Sequence, residues 1–165
     1  MSMRTVALSC AVALALTGCA PSVLGVFQKD VFYEKSLLAS RKGDIYQSLE
    51  LKSQVVATDL HAVDAVGYPQ KGTYCLGIYL PRDNDEQKQW GLDNPDIRLT
   101  TVEGAVPLSK TYMVREHELL KKLPYVNNWT KYYLVQFDEK ADKILKITQK
   151  DVGFVLLDFS KVHGE

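Results

Sequence analysis

Cysteine, net charge and long apolar runs are all scarce in this chain, and each scarcity excludes a class of protein. The 165 residues include 3 cysteines, and 20 lysines and arginines balance 20 aspartates and glutamates. Proteins that bind nucleic acids usually carry a clear basic excess, so we expect no nucleic-acid partner. The apolar run at residues 6–16 is far shorter than the roughly 20 residues of a membrane-spanning helix.

The N-terminal residues have the features of a secretory signal peptide. A short positive start with Arg4 precedes the apolar run at residues 6–16, which closes with Leu-Thr-Gly-Cys at residues 16–19. This ending resembles the lipobox of bacterial lipoproteins, in which a leucine and two small residues precede an invariant cysteine. The resemblance implies cleavage before Cys19 and membrane attachment through several acyl chains on that cysteine. Because Ala20 is not an aspartate, the resemblance also implies sorting to the outer membrane, with the protein facing the periplasm.

One domain is predicted after the signal peptide. Removal of residues 1–18 leaves 147 residues, which is enough for a single domain with its own core. We expect residues 19–43 to be a lipidated, partly ordered tether and residues 44–165 to be one β-rich domain. One cysteine leaves with the signal peptide and Cys19 is acylated, so no intrachain disulfide can form. Cys75 is the remaining thiol, and in an oxidising compartment we expect it to be buried.

Short strands separated by turns are predicted along most of the domain. Apolar and polar residues alternate with the period of two that is typical of strands, and the intervening residues favour turns. The predicted strands are residues 45–55, 73–80, 96–101, a short strand around Val106, 131–138, 143–149 and 152–159. A helical pattern competes over residues 49–63, where Gly67 and Pro69 would follow its end.

One helix and two strand pairings complete the predicted fold. Residues 114–122 are expected to be helical, because acidic residues precede lysines along the segment. Strands 131–138 and 143–149 are expected to face each other, and 143–149 and 152–159 to form a hairpin. The last strand is apolar on both faces and is therefore predicted to be central and covered on both sides. The fold class is mainly β, an antiparallel β-sandwich or small barrel with one short helix.

No complete catalytic or metal-binding motif is present in the sequence. His117 and Glu118 begin a pattern like that of zinc peptidases, but Lys121 stands where the second histidine must be. The acids and histidine at residues 59–64 have the chemistry of metal ligands, but no second histidine lies nearby. A calcium loop that began at Asp83 would need glycine at its sixth place and glutamate at its twelfth, where Lys88 and Asn94 stand. We therefore predict neither a metal nor a cofactor.

Cys75 is a candidate nucleophile, with His61 or His117 as its base. Envelope cysteine peptidases that trim cell-wall peptides are often lipoproteins. Their cysteine stands at a helix start within Asp-Cys-Ser-Gly, whereas Cys75 lies in a predicted strand where nothing lowers its pKa. A buried core thiol is the preferred prediction.

Aromatic residues are concentrated between the predicted helix and the next strand. Trp90, Tyr125 and Trp129 combine a large apolar area with a polar edge, so they are candidates for binding a partner. We expect Trp129 to be structural, because it lies close to the strand that begins at Lys131. Trp90 lies in a long polar connection and is expected to be the more exposed of the two tryptophans.

The preferred hypothesis is a non-enzymatic lipoprotein, anchored through Cys19, that binds another protein of the cell envelope. Unpaired edge strands, which the predicted sheets would have, can add a strand from a partner. One alternative is a cell-wall hydrolase that uses Cys75 and a histidine. Another is a carrier of a small ligand, or an enzyme inhibitor, that uses the aromatic loops.

Overall fold

A computed structural model describes residues 30–81 and 90–161, so the expected lipobox and acylated Cys19 lie outside the described residues. The strands are β1 (Ser40–Gln47), β2 (Glu50–Asp59), β3 (Thr73–Tyr79), β4 (Ile97–Thr101), β5 (Ser109–Met113), β6 (Lys131–Gln136), β7 (Ile144–Gln149) and β8 (Gly153–Asp158). The helices are α1 (Val31–Leu38), α2 (Leu60–Val63) and α3 (Glu118–Lys122), with a single 3-10 turn at Gly91–Asp93.

The strands form two antiparallel sheets. One sheet has the strand order β1-β2-β3-β6-β5 and the other has the order β4-β7-β8. The prediction of a mainly β, sandwich-like fold is confirmed, and within the described residues the sheets do not close into a barrel. The described chain has three helices where the sequence predicted one.

The main core lies between the two sheets. It contains the inward side chains of both sheets, among which the five-stranded sheet supplies Leu76 and Tyr133 and the three-stranded sheet supplies Ile147. These side chains are almost completely removed from water. Burial of each large apolar side chain stabilises the fold by about 1.5–3 kcal/mol, so this cluster is the principal source of stability.

A second apolar cluster covers part of the other face of the five-stranded sheet. Cys75 and Tyr132 from the sheet pack there against Leu60 of α2 and against Leu119 and Leu120 of α3. The five-stranded sheet is therefore covered on both faces over part of its area. This arrangement explains why β3 is buried at almost every position and does not simply alternate.

The segment predicted as a single strand at residues 45–55 is a β-hairpin. Strands β1 and β2 pair directly, and the two residues between them, Ser48 and Leu49, have φ angles of 51° and 70°. Positive φ at both central residues is the geometry of the tight turn that suits the twist of a hairpin. Of the alternative helix over residues 49–63, only the single turn α2 is present. Asp59 caps this turn by accepting a hydrogen bond from the Ala62 amide.

The predicted pairing of strands 131–138 and 143–149 is wrong. Strand β6 lies between β3 and β5, whereas β7 lies between β4 and β8 in the other sheet. The Phe137 amide donates to the carbonyl of Gly72 and so prolongs the pairing of β6 with β3. The connection that follows crosses from one sheet to the other. The predicted hairpin of β7 and β8 is confirmed.

The prediction that the last strand is central and doubly covered is also wrong. Strand β8 is at the edge of the three-stranded sheet, and only one of its faces is buried. Leu157 points into the core, whereas Phe154 and Leu156 are 57% and 47% exposed on the opposite face. A continuous apolar sequence therefore does not mark a covered strand in this protein.

Three element boundaries differ from the predicted ones. The short strand expected around Val106 lies at β5, after Pro107, and Val106 itself is exposed. Helix α3 covers only the last part of the predicted helix at residues 114–122. Helix α1 and the first residues of β1 lie within the segment expected to be a tether, so the described elements include residues before the predicted domain start at Asp44.

Candidate functional site

A groove lies on the face of the five-stranded sheet that the helices leave partly uncovered. It consists of two neighbouring depressions of about 260 Å³ and about 360 Å³, both of which are lined by Gln54 and Asn127. We call it the Trp129 groove, and its lining is completed by Lys42, Val56, Tyr79, Tyr125, Val126, Trp129 and Thr130. Its floor comes from β1, β2 and β3, and its wall is the loop at residues 125–130.

Strand register brings the floor residues together. Lys42 of β1 pairs with Val56 of β2, and Gln54 of β2 pairs with Tyr79 of β3. These side chains share the outward face of the sheet, because alternate residues of a strand point to the same side. Gln54 is held in place by a hydrogen bond of 3.0 Å from its Nε2 to Oδ1 of Asp44.

The wall of the groove is fixed by the buried hydroxyl of Tyr132. This hydroxyl donates to the carbonyl of Tyr125 at 3.2 Å and accepts from the amide of Asn127 at 3.0 Å. Burial raises the pKa of Tyr132, against the opposing effect of hydrogen bonds, so its hydroxyl stays protonated at neutral pH. At neutral pH the Tyr132 hydroxyl therefore keeps the proton that it donates to the loop.

The side chain of Asn127 completes the loop. Its Oδ1 accepts from the amide of Trp129 and from the hydroxyl of Thr130, both at 2.9 Å. Tyr125 has a φ angle of 63°, a left-handed conformation that side-chain-bearing residues rarely adopt. Such a conformation persists only where the surrounding contacts impose it, and it is common at binding sites. The loop is thus pre-organised by specific hydrogen bonds.

Gly77 allows this loop to approach the sheet. A Cβ atom at Gly77 would lie 2.6 Å from Cε1 of Tyr132 and 2.9 Å from Cγ2 of Thr130. Real carbon atoms do not come so close without displacement. A larger residue in β3 would push Tyr132 outwards and disturb the wall of the Trp129 groove.

The structure brings together two of the three residues predicted to bind a partner. Tyr125 and Trp129 both line the Trp129 groove. Trp90 does not line it, and its carbonyl lies within 3.3 Å of Lys131 Nζ and of the Tyr133 hydroxyl, which both donate to it.

The expected burial of the two tryptophans is wrong. Trp129 is 74% exposed, whereas Trp90 is half-buried beside the 3-10 turn. Closeness in sequence to a strand did not bury Trp129, because the hydrogen bonds of Asn127 turn the loop outwards before β6 begins.

The amides and the cation of the Trp129 groove form no pattern in the sequence that predicts a site. Lys42, Gln54 and Tyr79 come from three different strands, and only the strand register brings them to one surface. Asn127 gives the only local signal among them, because asparagine favours turns through hydrogen bonds from its side chain to the nearby backbone.

The candidate nucleophile and metal ligands have structural roles. Cys75 is buried, as predicted, and burial raises the pKa of its thiol to about 12, so the reactive thiolate is absent at neutral pH. His117 Nδ1 accepts from the amide of Leu119 at the start of α3. Asp64 accepts from two backbone amides of the following turn, and His61 Nδ1 lies 2.9 Å from the carbonyl of Tyr68. Within residues 30–81 and 90–161, no group of three or more such side chains could hold a metal ion.

None of the helices described is long and apolar enough to span a membrane. No protein-family model matches the chain, and neither a curated protein nor a solved structure shows significant similarity to it.

Proposed function

We propose that the protein is a non-enzymatic lipoprotein of the cell envelope that binds another envelope protein at the Trp129 groove. Acyl chains on Cys19 hold it to the outer membrane, and its β domain faces the periplasm. The observation that carries the binding role is the position of Trp129, which is 74% exposed on a loop fixed by Tyr132 and Asn127.

An exposed tryptophan on a rigid loop favours binding for two reasons. Its ring offers a large apolar area together with an N–H donor, which is the composition of residues that dominate binding energy at interfaces. Because the loop is already ordered, association does not have to pay for ordering it. Tyr125 and Tyr79 extend the aromatic surface on either side.

A small ligand is the second candidate occupant. The volumes of the two depressions are close to the lower end of the size range of small-molecule sites, and Gln54 and Asn127 line both depressions. Both depressions are open to solvent at the sheet surface, which fits a partner's protruding side chains better than a ligand that must be mostly enclosed.

The binding role is tested by a photo-crosslinking amino acid placed at Trp129 in living cells. We expect one envelope protein to be crosslinked, and we expect no such product from the same amino acid at Val66, which is more exposed than Trp129 but lies outside the groove. Purified partner should then bind Trp129→Ala about 30-fold more weakly, which corresponds to about 2 kcal/mol.

The melting temperature of Trp129→Ala separates binding from folding. Because the ring is mostly exposed, we expect the melting temperature to stay within about 2 °C of the parent. Undiminished partner binding by a normally folded Trp129→Ala protein would contradict the proposed role of the groove.

The lipid anchor is tested separately with Cys19→Ala. We expect metabolic labelling with palmitate to be lost and a precursor that keeps residues 1–18 to accumulate. Persistent labelling of the variant would show that the anchor is elsewhere or absent.

A further inference from the structure

The outward face of the three-stranded sheet combines exposed apolar side chains with cations. Phe154 and Leu156 of β8 lie there beside Lys146 of β7, and Arg98 of β4 completes the surface, which we call the β8 face. We propose that the β8 face lies on the anionic surface of the membrane that holds the lipid anchor. This inference rests on the proposed acylation of Cys19.

The charges at the centre of the β8 face fit anionic headgroups. Lys146 Nζ lies 4.8 Å from the centre of the Phe154 ring, and Arg98 is exposed in the same row of side chains. Asp158 lies at the end of β8, and the amide and hydroxyl of Ser160 donate to its Oδ1 and lower its pKa, so it stays ionised. Within the three strands, the two cations therefore outnumber this one acid. Cations next to aromatic and aliphatic side chains are typical of surfaces that rest at a membrane interface.

The small size of the apolar surface favours a membrane over a protein partner. Phe154 and Leu156 together expose on the order of 200 Å². A stable protein complex buries about 800 Å² on each partner, so this face is too small to hold one alone. A tethered domain needs far less affinity, because the anchor keeps it close to the bilayer at a high effective concentration.

Arg41 fixes the end of β8 and with it the edge of the β8 face. Arg41 donates from Nη1 to the carbonyl of Leu38, at the end of α1, and from Nε to the carbonyl of Asp158, at the end of β8. Both bonds are 2.9 Å long. One guanidinium therefore holds the end of β8 to the end of α1.

Contact through the β8 face would leave the Trp129 groove accessible. The groove is on the outward face of the five-stranded sheet, and the β8 face is on the outward face of the three-stranded sheet. These surfaces are on opposite sides of the sandwich. A domain that rests on the membrane by one surface presents the other to partners in the periplasm.

The test is depth-dependent quenching of a tryptophan in the mature, lipidated protein on vesicles of phosphatidylethanolamine and phosphatidylglycerol. Trp90→Phe and Trp129→Phe remove the native fluorophores, and Phe154→Trp introduces one on the β8 face. Leu49→Trp is the matched control, because Leu49 is fully exposed at the β1–β2 turn, outside the β8 face. We expect lipids brominated in their acyl chains to quench position 154 at least threefold more than position 49.

Changing the charges tests the same contact independently. In the Phe154→Trp reporter protein, adding Arg98→Glu and Lys146→Glu should reduce the quenching at position 154 at least twofold. The reporter without these two changes should show a similar reduction on zwitterionic vesicles. Protein that floats with vesicles but shows equal quenching at both positions would overturn the inference and leave the anchor intact. Protein that does not float would refute the anchor itself. Burial of position 154 without bromine quenching would show that another polypeptide covers the face.

Discussion

Gly91 lies against the hydroxyl of Tyr133, and its backbone conformation is one that other residues avoid. Its φ angle is +73°, and a Cβ atom would lie 2.4 Å from the Tyr133 oxygen. That hydroxyl also donates to Oδ2 of Asp93 at 3.0 Å. Burial acts to raise the pKa of Asp93, but hydrogen bonds from Tyr133 and Lys110 outweigh it and lower the pKa.

We predict that Gly91→Ala destabilises the domain by about 2–4 kcal/mol, through backbone strain and displacement of Tyr133. Gly104→Ala is the matched control, because Gly104 has a φ angle of +91° with no atom within 4 Å of the added carbon. Gly104→Ala should lower the free energy of unfolding by only about 1–2 kcal/mol, because it introduces backbone strain without a steric clash. Urea unfolding measures both values, and equal losses would show that the contact with Tyr133 is unimportant.

The thiol of Cys75 makes stability depend on pH in the alkaline range. Burial raises its pKa from 9.0 to about 12 in the folded protein. Below pH 9 both states are protonated, whereas between pH 9 and pH 12 the unfolded chain loses its proton and the folded protein keeps it. The free energy of unfolding should therefore fall by about 1.4 kcal/mol per pH unit through this group.

Cys75→Ala isolates this effect from other groups that titrate at high pH. Its stability should be lower than that of the parent at pH 8, because a buried group is lost, and the difference should shrink as the pH rises towards 11. Chemical denaturation at several pH values measures the trend. A constant difference would mean that the thiol is hydrated in the folded protein.

At the scale of elements, the β1–β2 hairpin has an unfavourable residue in its turn. Leu49 is 99% exposed and has a φ angle of 70°, a conformation that costs a side-chain-bearing residue about 1–2 kcal/mol. No packing within the described structure accounts for a leucine here.

We predict that Leu49→Gly raises the free energy of unfolding by about 0.5–1 kcal/mol, since glycine adopts this turn without strain but loses more chain entropy. Leu49→Ala is the control, because it removes the side chain and keeps the strain. Thermal unfolding of both variants distinguishes the two contributions. A loss of stability in the glycine variant would reveal a contact that Leu49 makes.

For the molecule as a whole, the contacts of α1 and of the first residues of β1 decide how short a chain can still fold. The Ser40 hydroxyl bonds that of Thr58 at 2.7 Å, and Phe32 of α1 packs against the second apolar cluster. Arg41 joins β1 to the end of β8. A chain that begins at Lys42 loses all of these contacts, although the sequence alone would place the domain boundary near it.

We therefore predict that a chain beginning at Asp30 unfolds cooperatively and that a chain beginning at Lys42 melts roughly 10 °C lower, or not cooperatively. Below its melting temperature, each protein should give a circular dichroism spectrum of mainly β structure. Equal melting temperatures would mean that α1 and the start of β1 contribute little to stability.

The sequence alone determined the strands whose signal is local. Strands β3, β4, β6, β7 and β8 lie close to their predicted positions, because alternation and turn residues act within a few neighbours along the chain. The same local information singled out Tyr125 and Trp129 as candidates for binding, and both line the Trp129 groove. It could not supply Gln54 and Tyr79, since these join the site only through the pairing of β2 with β3.

Tertiary structure decided which strands are neighbours and which faces stay exposed. The turn before β7 has the composition of a hairpin, yet β6 pairs with β3 and β5, because the sandwich places β6 and β7 in different sheets. The apolar residues of β8 indicate burial on both faces, but only one sheet is available to cover it. Pairing and exposure depend on contacts between segments far apart in sequence, whose energies no local pattern contains.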